Sequence, residues 1–188
     1  MSWGVYAVML WLALGIELGL REVFRVGDTG VAPSFVLPLV VFVGLYARGR
    51  IATVAALIAG LVIDLTSPMS LPGGGVGVVP GPNAMGMVLA SQLVLGARGL
   101  VFLNSPVTLI VLTPVAGMVW QIAVTAAFGA RELYDPIGFQ AGTQLTQRLF
   151  VALYSGVPAL ILWWPLRRLG TFFAFDAPHT GRYTMSRR

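Results

Sequence analysis

Apolar stretches of helical length fill most of the 188-residue chain, and single arginines, prolines and glycines separate them. A helix that crosses the hydrocarbon core of a bilayer needs about 20 mostly apolar residues, within a range of about 17–25. Six stretches reach or approach that length, although the second, third and fourth are short. We therefore predict an all-α integral membrane protein, a compact bundle of six transmembrane helices, with five as the alternative. The approximate spans are 3–20, 34–47, 51–67, 83–99, 105–128 and 148–166.

Proline and small polar residues mark where several of these helices begin. Pro38 falls in the opening turn of the second span, where its missing N–H would have had no partner. Asn83 follows Pro82 and is the predicted N-cap of the fourth span. Ser105 is the predicted N-cap of the fifth span, with Pro106 at its first helical position.

Arginine placement predicts the orientation of the spans, because all 12 basic residues are arginine. With a cytoplasmic N-terminus, eight arginines fall in cytoplasmic segments and four in external segments, as the positive-inside rule favours. We expect a multi-pass membrane domain over 1–168, a polar arginine-containing tail over 169–188, and both termini in the cytoplasm. The cytoplasmic group is Arg48, Arg50, Arg98, Arg167, Arg168, Arg182, Arg187 and Arg188, and the external group is Arg21, Arg25, Arg131 and Arg148.

Composition excludes several classes of site. Hydrophobic residues make up 57% of the chain and charged residues 10%, with a mean hydropathy of +0.84, which fits lipid as the main solvent. The chain has no cysteine and no lysine, and its single histidine is His179 in the tail, so thiolate metal sites, Walker A loops and Schiff-base enzymes are excluded. We expect no metal and no cofactor. The net charge of +5 fits arginines that face anionic membrane lipid better than it fits nucleic acid.

Asp64 lies near the end of the otherwise apolar third span. A carboxylate at the centre of a bilayer costs about 2.5–3.5 kcal/mol on insertion scales, so its position needs a reason. With Ala52, Ala56 and Gly60, at intervals of four residues, it forms a small-residue face that another helix could approach closely. Three interpretations stay open: Asp64 caps a neighbouring helix or sits at the outer interface, it contacts a partner, or it is a protonatable transport residue.

Glu17 in the first span is followed by Arg21, four residues on and in the favourable acid-before-base order. We interpret these two residues as an interfacial ion pair. Gly15 and Gly19 give the same helix a GxxxG spacing, which we interpret as an ordinary close contact between helices.

A polar stripe runs along one face of the fifth span at intervals of four residues. We favour packing against another helix over a substrate path for this stripe. Ser91 and Gln92 of the fourth span are expected to meet it across the bundle. The stripe consists of Thr113, Gly117, Gln121 and Thr125.

Two connecting segments are long. Residues 71–82 are rich in glycine and proline but lack the lysine of a phosphate-binding loop, so we predict a flexible external connection. Residues 129–147 are polar and could carry a short amphipathic helix on the outer surface. No convincing internal repeat is evident.

The polar residues inside the predicted membrane domain do not form a convincing catalytic set. Glu17 and Asp64 could both lie near the outer face, but they lack the polar surroundings that would position a peptide and a water. A rhomboid-type serine site would need a membrane-embedded histidine, and phosphatidyl transfer would need clustered acids for a metal. We therefore expect a protein that is not an enzyme and favour a membrane adaptor, with a small substrate-binding transport subunit as the alternative.

Residues 33–67 resemble the core of the MreD family of rod shape-determining proteins. That family has a proline and a polar residue before a leucine- and valine-rich helix, then a short basic turn and a helix that ends in a GLxxDL-type motif. The glycine-rich stretch that precedes Pro82 departs from the short connection usual in the family. The positions that carry the resemblance are Pro33, Arg48, Gly60, Leu61, Asp64 and Leu65.

The resemblance implies a non-enzymatic scaffold of the bacterial cell-elongation machinery, in the inner membrane, that serves lateral peptidoglycan synthesis. Its implied partners are a MreC-like membrane-anchored protein, the MreB filament and the glycosyltransferase–transpeptidase pair. Members are similar in fold to the substrate-binding subunits of vitamin importers, which keeps a transport subunit as the alternative. On this hypothesis, the face formed by Ala52, Ala56, Gly60 and Asp64 docks the membrane anchor of the MreC-like protein.

Overall fold

The chain folds into a helical bundle with one short hairpin. A computed structural model describes residues 1–25, 27, 31–71, 75–102, 105–132, 134, 141–173 and 175. The elements, in chain order, are α1 (Trp3–Gly19), α2 (Val36–Tyr46), α3 (Gly49–Thr66), β1 (Met69–Leu71), β2 (Gly75–Gly77), α4 (Pro82–Ala97), α5 (Pro106–Glu132), α6 (Ala141–Tyr154) and α7 (Gly156–Leu169).

Each predicted span coincides with a helix or, for the sixth, with the pair α6 and α7. Within the described part of the chain, three helical stretches are long and apolar enough to cross a membrane: Gly49–Thr66, Pro106–Glu132 and Gly142–Leu169. Two further apolar helices, Trp3–Gly19 and Val36–Tyr46, are shorter. This is the helix content expected of an α-helical membrane protein.

Helix α2 forms the centre of the bundle. It has 11 residues, and every one from Val36 to Leu45 is buried. Helices α1, α3, α4, α5 and α7 all contact it. At about 1.5 Å per residue it is about 16 Å long, roughly half the thickness of a hydrocarbon core. Both of its ends therefore lie inside the protein, where water cannot satisfy their unpaired backbone groups.

Arg98, at the end of α4, satisfies the C-terminal end of α2. Its Nε donates to the carbonyl oxygen of Gly44 at 2.6 Å, and its guanidinium also donates to the carbonyl oxygen of Ala47. These carbonyls have no intrahelical partner at a helix C-terminus, and the local partial charge there is negative. One cation thus provides both the hydrogen bonds and the favourable charge.

Ser155 interrupts the sixth helical stretch and separates α6 from α7. Pro158 has no N–H to offer the carbonyl of Tyr154 four residues earlier, which accounts for a break at this point. The Ser155 hydroxyl donates to the carbonyl oxygen of Val151 at 2.7 Å and accepts the N–H of Ser34 at 2.9 Å. The break therefore supplies a hydrogen bond to the chain just before α2.

The connection between α3 and α4 is partly ordered by backbone pairing. Strands β1 and β2 are antiparallel, with Met69 opposite Gly77 and Leu71 opposite Gly75. The all-α prediction therefore lacked this three-residue hairpin. The predicted flexible connection over 71–82 is structured at least where β2 pairs, while residues 72–74 lie outside the described residues.

Two predicted boundaries differ from the structure. Helix α6 begins at Ala141, before the predicted start of the sixth span at residue 148, because the polar face of the first turns conceals the helical period. The predicted surface tail after residue 168 contains Phe173, which is completely buried against Phe42 and Phe175. Residues 176–188 lie outside the described residues.

The predicted amphipathic helix over 129–147 overlaps the end of α5 and the start of α6, and most of the residues between them are also outside the described part.

The small-residue face of α3 packs inside the bundle, against the start of α4. All four of its members, Ala52, Ala56, Gly60 and Asp64, are buried. A Cβ atom on Gly60 would collide with the backbone of Ala84 and would lie 2.6 Å from the carbonyl oxygen of Asn83. Since α4 occupies this face, it is not open to a helix from another protein, and we do not assign partner docking to it.

We predict that Gly60→Ala destabilises the protein. The atoms that its methyl group would meet belong to the backbone of α4 and cannot rotate away, and overpacking of this kind costs about 1–3 kcal/mol. The midpoint of thermal unfolding in mild detergent should therefore fall.

Gly96→Ala is the matched control, because a Cβ at Gly96 would have no neighbour within 4 Å. Alanine is the better helix former by up to about 1 kcal/mol, so this variant should unfold at the same temperature or slightly above. Equal midpoints for the two variants would contradict the close α3–α4 contact.

Candidate functional site

Asp64 caps the N-terminus of α4. Its two carboxylate oxygens accept the backbone N–H groups of Gly81 at 2.8 Å, Asn83 at 3.0 Å and Ala84 at 3.2 Å. Pro82 has no N–H, so the carboxylate satisfies every donor from Gly81 to Ala84. Asp64 is only 2% exposed. Of the three interpretations considered for this residue, the structure supports the helix cap.

Asn83 is not the N-cap that its position after Pro82 suggested. The N-cap is Gly81, whose φ of 124° is a conformation that favours glycine. The Asn83 side chain instead donates from Nδ2 to Asp64 at 2.9 Å and accepts the indole N–H of Trp120 at 3.1 Å. The cap is therefore linked to α5 through one amide.

Glu17 performs the corresponding role at the N-terminus of α2. Its Oε2 accepts the hydroxyl of Ser34 at 2.9 Å and the N–H groups of Phe35 at 2.9 Å and Val36 at 3.2 Å. The predicted contact with Arg21 does not form a salt bridge within 4.0 Å, although Arg21 still attracts the Glu17 carboxylate electrostatically. The end of α2 provides Glu17 with more hydrogen bonds than one arginine at the surface would.

The remaining donors at the start of α2 are also satisfied. The N–H of Leu37 bonds to the Ser34 hydroxyl at 3.3 Å, and the N–H of Ser34 bonds to Ser155. Pro38 follows and has no N–H. The first turn of α2 therefore has no unpaired N–H group, as a helix end removed from water requires.

The two caps form a repeated pattern that the sequence analysis did not identify. In each case an acid in the last turn of one helix caps the next helix, 17 to 20 residues further along the chain. A proline and a polar residue open both capped helices, as Pro33-Ser34 and as Pro82-Asn83. The signal was present in the sequence as Glu17 with Pro33-Ser34 and Asp64 with Pro82-Asn83.

Both carboxylates line a cavity of about 510 Å³ at this end of the bundle, which we call the polar cavity. The ends of α1, α3 and α5 and the starts of α2, α4 and α6 converge around it. Its polar lining includes Glu17, Arg21, Asp64, Asn83, Gln121 and Arg148. The sequence analysis placed Glu17 and Asp64 near the same face but did not connect them with the other residues, which come from segments up to 131 positions apart.

Positive charge dominates the groups in this cavity that remain available. The charges of Glu17 and Asp64 are partly offset by the partially positive helix N-termini that they cap, each equivalent to roughly half an elementary charge. Arg148 donates to Oε1 of Gln121 at 3.1 Å and lies over the ring of Phe128 at 5.7 Å. Neither Arg148 nor Arg21 is within ion-pair distance of a carboxylate in the described ranges. The cavity therefore presents two guanidinium groups that form no direct salt bridge, although Glu17 attracts Arg21 at longer range.

The polar stripe of α5 serves mostly in packing. Thr113 and Thr125 are buried and donate to carbonyls four residues earlier in their own helix. A Cβ on Gly117 would lie 3.0 Å from the Cβ of Ala152, so α5 and α6 approach each other closely at this position. Only Gln121 of the stripe reaches the cavity.

Among the described residues, Ser91 and Gln92 of the fourth span form no hydrogen bond with this stripe. Gln92 donates to the hydroxyl of Thr53 on α3 at 2.7 Å, on the outside of the bundle. Ser91 is buried, and its hydroxyl has no hydrogen-bond partner among the described residues. The remaining residues that carry the family resemblance lie in different environments. Pro33 is buried, Arg48 precedes α3 as its N-cap residue, and Leu61 and Leu65 face outward.

We predict that Asp64→Asn destabilises the fold. Asparagine keeps one acceptor oxygen but turns an NH₂ group toward backbone donors, and hydrogen bonds to a charged acceptor are worth about 1.5–3 kcal/mol. The midpoint of thermal unfolding in detergent should fall by several degrees.

Glu22→Gln is the comparison, because Glu22 is an exposed acid whose side chain pairs, among the described residues, with Arg25 three positions away. Such surface pairs contribute about 0–1 kcal/mol. If Asp64→Asn and Glu22→Gln unfold at the same temperature, Asp64 does not stabilise α4 as described.

No family model, no curated protein and no solved structure matches this chain. Within the described ranges, no group of three or more histidine, cysteine, aspartate or glutamate side chains could hold a metal ion. The candidate site is thus a polar cavity at one end of a membrane bundle, with two structural carboxylates and two available arginines.

Proposed function

We propose that the protein is a non-enzymatic membrane adaptor of the bacterial cell-elongation machinery. The observation that carries the proposal is the resemblance of residues 33–67 to the MreD family, together with the place of the matching residues in the fold. Pro33 precedes the capped start of α2, Gly60 permits the close approach of α4, and Asp64 caps α4. Structural roles for these three of the six matching residues favour a shared fold over a shared composition.

The proposal includes the orientation of the bundle. Six crossings with both termini in the cytoplasm put Arg48, Arg50 and Arg98 on the cytoplasmic side, in agreement with the positive-inside rule. The polar cavity then opens toward the external side of the inner membrane. Helix α2 is too short to cross the whole bilayer. The hydrogen bonds that water would otherwise form with its terminal backbone groups come instead from the capping side chains.

The proposed docking face for the MreC-like anchor is the outer face of α1. This helix lies at the edge of the bundle, against α2, and its Tyr6 hydroxyl donates to the carbonyl oxygen of Ala55 on α3. Its opposite side is open: Trp11 is 81% exposed, and a Cβ on Gly15 or Gly19 would have no neighbour within 4 Å. Small residues spaced by four allow a second transmembrane helix to approach closely.

A single transmembrane anchor is the occupant that suits this face. The GxxxG spacing provides one narrow contact along one helix, and Val8 and Leu12 flank it with exposed apolar side chains. The surface is thus the width of one partner helix, as expected for a protein that crosses the membrane once.

The second candidate is a small substrate-binding subunit of a transporter, and the polar cavity is the observation that favours it. Purification of the tagged protein in mild detergent separates the two functions. Recovery of a MreC-like protein, with or without wall-synthesis enzymes, supports the adaptor. Recovery of a transport ATPase supports the transport subunit instead.

We predict that Gly15→Leu weakens co-purification of the MreC-like partner at least several-fold. The leucine side chain would fill the space that the partner helix needs, while a Cβ atom at this position has no neighbour within 4 Å among the described residues. The amount of partner recovered per amount of tagged protein is the measurement.

Gly96→Leu is the matched control, since Gly96 is also exposed and open but lies on α4. It should leave the recovery of partner unchanged, and both variants should unfold at the wild-type temperature. If Gly15→Leu recovers as much partner as the wild type does, the outer face of α1 is not the docking face.

A further inference from the structure

The polar cavity continues into a second, mainly apolar depression along α6. This depression has a volume of about 710 Å³, and we call it the α6 groove. Val31 and Gln147 line both the polar cavity and the α6 groove, so the two share a rim. Phe150 and Tyr154 line the groove further along α6.

The groove residues follow one side of α6. Positions 147, 150 and 154 are three and four residues apart, the spacing of neighbours on a helix surface. From 147 to 154 the groove extends about 10 Å at the rise of an α-helix. It therefore offers a strip of apolar contact that begins at the edge of a cationic cavity.

The chemistry of the two parts differs in a way that defines one ligand. Arg148 and Arg21 suit an anionic group, and a guanidinium matches the geometry of phosphate oxygens through paired N–H donors. The α6 groove offers Phe150 and Tyr154, which suit a hydrocarbon chain. A soluble anion would use only the cavity, and an uncharged lipid would use only the groove.

We propose that the polar cavity and the α6 groove together bind an amphiphile with a phosphate-bearing head group. The phosphate lies between Arg148 and Arg21, and the hydrocarbon chain lies along α6 from Gln147 to Tyr154. The amide of Gln121, which accepts a hydrogen bond from Arg148 at 3.1 Å, positions the guanidinium for this contact. The site is independent of the docking face on α1 and goes beyond the proposed adaptor function.

The test uses the full-length protein, delipidated in a maltoside detergent and titrated with dioctanoyl phosphatidic acid by native mass spectrometry. Two further probes separate the parts of the ligand: glycerol 3-phosphate carries the head group alone, and dioctanoylglycerol carries the chains alone. We expect the phosphatidic acid to bind at least tenfold more tightly than either probe.

Variants locate the site. Arg148→Gln and Arg21→Gln should each weaken binding of the phosphatidic acid about tenfold, which corresponds to about 1.4 kcal/mol. Phe150→Glu should weaken it to a similar extent by placing a charge in the groove. Arg50→Gln, a matched exposed arginine at the other end of α3, should bind as the wild type does.

Three results would overturn the proposal. Dioctanoylglycerol that binds as tightly as the phosphatidic acid would remove the role of the phosphate. Glycerol 3-phosphate that binds as tightly would replace the amphiphile with a soluble ligand. Wild-type binding by both arginine variants would place any lipid elsewhere on the protein.

Because Arg21 is exposed, its substitution retains the fold and keeps the test decisive even if Arg148→Gln unfolds. Binding results do not depend on co-purification of a partner, so failure of this site and failure of the adaptor role are separate outcomes.

Discussion

The fold depends on the satisfaction of helix ends that water cannot reach. A helix leaves its first N–H groups and its last C=O groups without intrahelical partners, and in a membrane each such group is costly unless another part of the protein bonds to it. Here Glu17 and Asp64 serve two N-termini, and Arg98 serves a C-terminus. The charges also have the signs that the helix dipoles favour. Because these bonds are made, α2 can be short, buried from Val36 to Leu45 and surrounded by other helices.

The same constraint connects the packing to the cavity. Each capping acid comes from the last turn of the preceding helix, so the ends of α1 and α3 converge with the starts of α2 and α4. Backbone donors occupy both oxygens of Asp64 and Oε2 of Glu17, so the carboxylates line the cavity mainly as structural groups. What the cavity offers a ligand comes from α5, from α6 and from Arg21 beyond α1. The polar cavity is thus lined both by groups that stabilise the fold and by groups that could contact a ligand.

The helices could be predicted from the sequence because apolar length and helix-start signals are local properties. Pro38, Pro106 and the charged turn at Arg48 all lie where the pattern placed them. The partners of the buried acids could not be predicted in the same way. Spacing of four residues suggested Arg21 for Glu17, whereas the real partners lie 17 to 19 residues along the chain. The small-residue face of α3 was correctly located, but a periodic pattern does not distinguish an internal neighbour from an external one.

The cap at Asp64 also bears on how the connection between α3 and α4 can vary among related proteins. The carboxylate fixes the start of α4 relative to the end of α3 by direct hydrogen bonds, so the intervening chain does not have to hold the two helices together. Loop closure becomes only slightly more costly as a loop lengthens. Evolution can therefore lengthen or shorten this segment with little effect on the bundle. The length of the glycine-rich connection in this chain is then free to diverge, and differences in loop length there carry little information about kinship.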